Sequence, residues 1–139
     1  MKNLSAALVL LAVAFPAGAL AGTEEEISHL LRHIEKSDCL FVRNGKEHGS
    51  REALEHIQRK YDHVRNRVET AEDFIEYAAT KSSMTGKAYQ VLCGSEEIPT
   101  ADWLHAELAG FRQEGGRETN HGAGSSPGSF DHAGRHQPP

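Results

Sequence analysis

The sequence predicts one α+β domain in which about four helices pack on a small antiparallel sheet of two or three strands. Three observations support this fold class. Apolar residues recur at helical spacing in four segments, two short segments are rich in β-forming residues, and each of those two segments contains a cysteine. Helices that surround a few strands in this order are typical of an α+β architecture.

The N-terminal segment has the pattern of a secretory signal peptide. Lys2 precedes an apolar run over residues 4–15, and small residues follow, so cleavage is expected after Ala21 or Ala19. The alternative is a membrane anchor, but a helical span needs about 20 apolar residues, more than this run contains. We therefore predict a signal peptide over residues 1–21 and a globular domain over residues 22–113. The Gly-, His- and Pro-rich remainder, residues 114–139, is predicted to be a disordered tail.

The charge of the chain argues against two classes of partner. The 139 residues carry a net charge of −5, and loss of Lys2 with the leader makes the mature chain more acidic. No basic stripe is available to neutralise nucleic-acid phosphates or to bind an anionic membrane surface. We expect a periplasmic or secreted protein without a membrane span after signal removal.

The first helix is predicted to begin at Thr23, with Glu26 completing a capping box. Its apolar face consists of Ile27, Leu30, Leu31 and Ile34. His29 and His33 have the i, i+4 spacing of a metal-binding pair but fall on the opposite side of the helix. Because no third ligand is evident, we expect solvated histidines and no metal site.

A strand is predicted from Cys39, and the Asn44-Gly45 pair after it is typical of a tight hairpin turn. Residues 46–48 return as a short strand, and a second helix follows the break at Gly49. One face of this helix is apolar, with Ala53, Leu54, Ile57, Tyr61 and Val64. Its other face alternates in charge, which indicates a solvated surface.

A third helix begins at Thr70, which forms a capping box with Asp73. Its apolar face is Phe74, Ile75, Ala78 and Ala79. The polar loop after it, residues 80–87, lacks the glycine and hydroxyl positions of a phosphate-binding loop. The second strand covers residues 88–93, and a fourth helix is capped by Thr100 and ends at Gly115-Gly116.

Cys39 and Cys93 are predicted to form a disulfide, because an exported chain is exposed to an oxidising compartment and contains an even number of cysteines. Two free thiols or a metal pair are the alternatives. If the cysteines are bonded as neighbours, the strands run antiparallel, with residue 41 opposite 91 and residue 43 opposite 89. Arg43 then faces Tyr89 at the end of the sheet near the polar loop.

This convergence of a guanidinium, a phenol, hydroxyls and an ammonium group predicts a polar site. Its ligand-binding candidates are Arg43, Ser82, Ser83, Thr85, Lys87 and Tyr89. Arginine with hydroxyl groups suits an anionic or carboxylate ligand. The alternative is that these groups satisfy one another and tie the loop to the sheet, and we expect Arg43 to brace the loop in this way.

The function class that follows is a small binding or interaction protein, whose partner is a peptide, a cell-envelope component or another protein. An alternative is a hydrolase that uses Ser82 or Ser83 with His48 or His56, although no nucleophile-elbow motif is present. A weak metal binder using His121, His132 and His136 of the tail is a third possibility. The sequence indicates no catalytic residue and no cofactor.

Three phrases, FVRNGKEH, TAEDFIEYAATKSS and TGKAYQV, carry a resemblance to a known family. Over about residues 25–111 the chain resembles the YfeK-like family of small exported bacterial proteins, which contain a domain of unknown function. The resemblance implies a periplasmic location. It implies no catalytic or binding residues, and the Gly- and His-rich tail lies outside it.

Overall fold

The computed structural model describes residues 18–121, with side chains over residues 22–116. The elements in chain order are α1 (Gly18–Lys36), β1 (Leu40–Arg43), β2 (Lys46–His48), α2 (Ser50–Val64), a 3₁₀ turn (Arg65–Arg67), α3 (Ala71–Phe74) continued by a π-helix (Ile75–Ala79), β3 (Gln90–Cys93), β4 (Glu96–Pro99) and α4 (Thr100–His121). No helix of this part of the chain has the length and apolar character needed to cross a bilayer.

The α+β fold class is confirmed, with four antiparallel strands in the order β2-β1-β3-β4. The prediction of two or three strands missed β4, because Glu96–Pro99 contains few β-forming residues and ends in proline. An edge strand tolerates that proline, whose missing N–H removes no central ladder bond. The turn at Asn44-Gly45 is confirmed, since both residues have positive φ angles of 51° and 79°.

The disulfide and the strand register agree with the sequence argument. Cys39 and Cys93 are bonded with their Cα atoms 4.6 Å apart. Phe41 lies opposite Val91 in the β1–β3 ladder, as the pairing of the cysteines predicts. The ladder stops before residue 89, because the N–H of Tyr89 donates to the carbonyl of Thr80 and its carbonyl accepts from the N–H of Thr100.

The core lies between one face of the sheet and the four helices. Every helix supplies buried residues to it, with Ala53, Ile57 and Tyr61 from α2. The most deeply buried residues come from the other helices and β3 and include Leu30, Ile34, Phe74, Ile75, Ala78, Ala79, Val91 and Leu104. The predicted apolar faces of the helices supply most of these side chains. The capping box of α3 is also confirmed, with Thr70 Oγ1 accepting from Asp73 N at 3.1 Å and Asp73 Oδ2 accepting from Thr70 N at 3.0 Å.

Three helix ends differ from the prediction. Thr100 is the first residue of α4, and its Oγ1 accepts no hydrogen bond from the described residues, so it does not cap that helix as expected. Helix α1 begins at Gly18, so Thr23 lies inside it and its hydroxyl donates to the carbonyl of Glu69 at 3.3 Å instead of capping the helix. Helix α4 continues through Gly115-Gly116 to His121. Glycine weakens a helix without forbidding it, which is why the expected stop was misplaced. Residues 1–17 and 122–139, which contain most of the predicted signal peptide and tail, lie outside the described residues.

Candidate functional site

A small cavity lies where β1, α2 and the start of α4 meet. Its volume is about 20 Å³, measured as the space open to the centre of a water molecule. This is enough for about one water-sized group. The lining residues that matter chemically are Arg43, His48, Glu52, His56, Tyr89 and Thr100.

Arg43 is the last residue of β1, and its half-buried side chain lines the cavity. Within the described part of the chain its guanidinium has neither a hydrogen bond nor an ion pair. Its charge acts on His56, whose pKa it lowers, and on Tyr89. A guanidinium carries five N–H donors, so a half-buried one without an acceptor is well suited to receive an anion.

His56, Tyr89 and Lys60 form a hydrogen-bonded chain beside Arg43. The Tyr89 hydroxyl lies 3.0 Å from Nε2 of His56 and accepts from Nζ of Lys60 at 3.4 Å. The ammonium group of Lys60 also donates to the carbonyl of Lys81 at 2.6 Å. The direction of the hydrogen bond between the Tyr89 hydroxyl and Nε2 is set by which ring nitrogen of His56 carries the proton.

The electrostatics keep this histidine uncharged. Burial, as the largest cause, and then the nearby charges of Arg43, Lys60 and Arg59 together lower the pKa of His56 to about 4. Burial also raises the pKa of Tyr89, which keeps the phenol protonated. At neutral pH the group thus combines a guanidinium with uncharged N–H and O–H donors.

Thr100 contributes a buried polar atom to the same cavity. The residue is only 1% exposed, and Oγ1 has no hydrogen-bond partner within the part of the chain that the structure describes. Its backbone N–H is used, since it donates to the carbonyl of Tyr89 at 3.0 Å. Thr100 is the first residue of α4, where the positive end of the helix dipole favours negative charge.

His48 and Glu52 line the cavity where it opens to solvent. Nδ1 of His48 lies 2.7 Å from Oε1 of Glu52, one helical turn further along the chain, and the Glu52 side chain is 59% exposed. The cavity therefore reaches the surface beside a carboxylate. That carboxylate bonds to histidine and leaves Arg43 unpaired.

The structure brings two of the predicted site residues, Arg43 and Tyr89, to the cavity, and places the other four in the polar loop. Ser82 is buried, and its Oγ accepts from the N–H of Thr85 at 3.3 Å. Thr85 Oγ1 donates to Oδ1 of Asn44 at 2.7 Å and accepts from the N–H of Lys87. The side chains of Ser83 and Lys87 are exposed.

The expected brace between Arg43 and the loop hydroxyls is therefore not formed, and this expectation was wrong. Asn44, the next residue, makes the contact with Thr85 instead. Its left-handed turn conformation lets its short amide side chain reach the loop, whereas Arg43 on the strand faces the cavity. The sequence argument also missed Thr100 and Lys60 as members of the site. In the sequence, the only indication that Lys60 belongs to the site is its i, i+4 spacing from His56 on one helix.

His29 and His33 also differ from the prediction of solvated side chains. The His29 ring stacks on Phe111 with centroids 4.0 Å apart, and the His33 ring contacts Trp103 in a tilted arrangement at 4.2 Å. Nε2 of His29 also lies 2.7 Å from Oε1 of Glu107. These are contacts between α1 and α4, which a single helix pattern does not show. No group of three potential metal ligands in residues 22–116 is arranged to hold an ion.

The fold and the cavity define a class: a small α+β domain with a four-stranded antiparallel sheet, one inter-strand disulfide and a small, mainly apolar cavity at one end of the sheet, with Arg43 among its lining residues. The chain belongs to a family of unknown function, DUF5329, whose model matches residues 21–112. It is similar to the uncharacterized protein YfeK of Salmonella typhimurium, with 42% identity over 92 residues that cover 64% of this chain and 77% of the relative. No solved structure matches the chain.

Proposed function

We propose that this protein is an exported binding protein that takes an anionic group of its partner at the cavity beside Arg43. The observation that carries the proposal is Arg43, a partly buried residue that lines the cavity and whose guanidinium has no acceptor in the described residues. The five N–H donors of such a guanidinium are available to an anionic ligand. The ligand is a peptide, a cell-envelope component or a protein with a negative group.

Two further features of the cavity support an anionic ligand. The positive charges of Arg43, Lys60 and Arg59 all lie near His56, because each of them lowers its pKa. The His56 ring is uncharged at neutral pH and therefore brings no negative charge that would oppose an anion. Hydrogen bonds to an ionised acceptor are about twice as strong as neutral ones.

Export is part of this proposal. The leader pattern of residues 1–21 and the Cys39–Cys93 disulfide both support a periplasmic or secreted location, because disulfides persist in oxidising compartments. The ordered unit is proposed to cover residues 22–113, close to the range that the family model matches.

The serine and the histidines that a hydrolase would use have other hydrogen-bond partners, which favours a binding function over hydrolysis. Ser82 Oγ accepts from a backbone N–H, while His56 pairs with Tyr89 and His48 with Glu52. A nucleophilic serine needs a base within hydrogen-bond distance, and these histidines have other neighbours. A histidine with a pKa of about 4 is also a weak base.

The test is a titration of the isotope-labelled mature protein with sodium acetate and sodium phosphate, followed by NMR. Saturable shifts of the Arg43, His56 and Tyr89 signals are expected with at least one of these anions, and Arg43→Gln should abolish them. The matched control is Arg51→Gln, which removes an exposed arginine from the start of α2. If neither anion gives saturable shifts at these residues, or if Arg43→Gln binds as well as the wild type, the proposal is wrong.

A further inference from the structure

We infer that the cavity receives a short aliphatic group of the ligand while Arg43 holds the anionic group beside it, so that the ligand is a small aliphatic carboxylate. This inference rests on the proposed function and deepens it by naming the ligand class and the residues that select its size, Ala53 and Ile57. The carboxylate belongs to a free short-chain acid or to the carboxyl end of a peptide with a small apolar last residue, which share this chemistry.

The first argument concerns the chemistry of the cavity walls. Phe41, Ala53 and Ile57 are buried apolar residues that line the cavity. Two polar groups of the lining, the Tyr89 hydroxyl and Nε2 of His56, are hydrogen-bonded to each other. A buried water molecule needs several polar partners, so a mainly apolar cavity holds water poorly. An aliphatic group gains free energy by moving from water into such a space.

The second argument concerns the position of Arg43 relative to these walls. Phe41 and Arg43 belong to β1 and lie on the same face of the sheet, because side chains alternate between the two faces of a strand. Positions two residues apart on a strand are separated by about 7 Å. A ligand that contacts both residues therefore carries its anionic group and its aliphatic group within a few bonds of each other.

A carboxylate meets this requirement better than a phosphate monoester. The carbon of a carboxylate bears the aliphatic group directly. A phosphate monoester has a polar ester oxygen between the two groups, which would be placed at the apolar wall without a hydrogen-bond partner.

The third argument concerns size. The cavity has a volume of about 20 Å³ open to the centre of a water molecule, which suits an aliphatic group of about one or two carbon atoms. Ala53 and Ile57 lie one turn apart on α2 and both line the cavity. Because Ala53 contributes only a methyl group to the wall, a larger side chain at this position would occupy part of the space.

The experiment measures the dissociation constants of acetate, propionate, butyrate, hexanoate and methyl phosphate for the mature protein by NMR titration. Propionate should bind about fourfold more tightly than acetate, the gain expected for the burial of one methylene group. Hexanoate should bind no more tightly than propionate, because its chain is too long for the cavity. Methyl phosphate, which has an ester oxygen where propionate has its methylene group, should bind more weakly than propionate.

A second measurement needs no variant. In the complex of the wild type with propionate, the methyl protons of propionate should give intermolecular nuclear Overhauser effects to the methyl groups of Ala53 and Ile57. If these effects appear only at residues outside the cavity lining, the aliphatic group is not inside the cavity and the inference is wrong.

Two variants change the size of the cavity. Ala53→Val adds two methyl groups to the wall, so it should bind propionate no more tightly than acetate while still binding acetate through Arg43. Ile57→Val removes one methyl group, so butyrate should gain about fourfold in affinity relative to propionate. The matched controls are Ala109→Val, at an exposed site of α4, and Ile34→Val, in the core and outside the cavity lining. Both controls should keep the wild-type order of affinities.

N-acetyl-L-alanine distinguishes the two sources of the carboxylate. It carries a methyl group and a carboxylate on one carbon, as the carboxyl end of a peptide does, and its acetamido group continues where the peptide chain would. Tighter binding of N-acetyl-L-alanine than of propionate indicates a peptide end, and equal or weaker binding indicates a free acid.

The outcomes separate this inference from the proposed function. If the wild type binds acetate, propionate and hexanoate equally and Arg43→Gln binds none of them, the anion site stands and the inference is wrong. The inference is also wrong if affinity keeps rising up to hexanoate, if methyl phosphate binds as tightly as propionate, or if Ala53→Val keeps the preference for propionate. If no anion binds the wild type, both the inference and the proposed function fail.

Discussion

The hydroxyl of Tyr89 lies 3.0 Å from Nε2 of His56, which joins the segment before β3 to the middle of α2. The two rings meet edge to face, with centroids 5.7 Å apart and planes inclined at 77°. Lys60 donates a hydrogen bond to the same hydroxyl at 3.4 Å. Because the pKa of His56 is lowered to about 4, Arg43 lies near an uncharged imidazole at neutral pH.

The first prediction concerns the influence of Arg43 on His56. Burial is the largest cause of the low pKa of His56, and the charge of Arg43 is the next. Arg43→Gln should therefore raise the pKa from about 4 while leaving it below the ordinary value of 6.5. The measurement is an NMR titration of the imidazole signals. An unchanged pKa in the variant would show that the guanidinium does not lie beside the ring.

The second prediction concerns stability against pH. The pKa of His56 is about 4 in the folded protein against 6.5 as the ordinary value, so the unfolded chain binds more protons between these values. This contribution to stability is complete above pH 6.5 and is lost as the pH falls toward 4. His56→Gln should show a shallower loss of unfolding free energy over that window, measured by urea denaturation at several pH values.

The matched control for this series is His63→Gln, which changes an exposed histidine near the end of the same helix. It should reproduce the wild-type pH profile. If His56→Gln and the wild type lose stability in parallel, His56 is not the group that titrates.

The third prediction concerns the disulfide. Cys39 and Cys93 are 54 residues apart, and a cross-link over that distance restricts the unfolded chain by roughly 4 kcal/mol in the chain-entropy model. The double variant Cys39→Ala/Cys93→Ala should lose a large part of this free energy of unfolding. Denaturation of the wild type with and without a reductant provides the comparison. Two alkylatable thiols in natively purified wild-type protein would contradict the disulfide itself.

The fourth prediction concerns a bridge among three helices. Arg112 of α4 contacts Glu26 of α1, with Nε 2.7 Å from Oε1, and also makes two hydrogen bonds to Glu72 of α3. Because these groups are partly exposed, Arg112→Gln should cost at most about 1 kcal/mol at neutral pH. The hydrogen bond from Arg112 lowers the pKa of Glu72 below 4.5.

The pH dependence of the stability of Arg112→Gln follows from the lowered pKa of Glu72. A lowered carboxylate pKa stabilises the fold above about 4.5, and the stabilisation disappears as Glu72 is protonated in acid. The difference in unfolding free energy between wild type and Arg112→Gln should therefore shrink below pH 4.5. Arg65→Gln is the control, since its pair with Asp62 is long at 3.5 Å and largely exposed. A constant difference across this pH range would argue that Arg112 acts through packing alone.

Much of the fold follows from local patterns in the chain. The apolar spacing of the helices, the capping box of Thr70 and Asp73 and the Asn44-Gly45 turn depend on neighbouring residues. The register of β1 and β3 followed because the side-chain period of a strand is two and the disulfide pairs one residue of each strand. The edge strand β4 was not predicted, because its composition does not favour a strand. It is a strand because it pairs with β3.

The candidate site depended on contacts that no local pattern contains. The sequence alone brought Arg43 and Tyr89 to one end of the sheet, through the counting of strand positions. Only the tertiary structure decided that Asn44 contacts the polar loop in place of Arg43. It also placed His56 of α2 and Thr100 of α4 around the same cavity as Arg43, because helix rotation and crossing are set by how side chains fill the core.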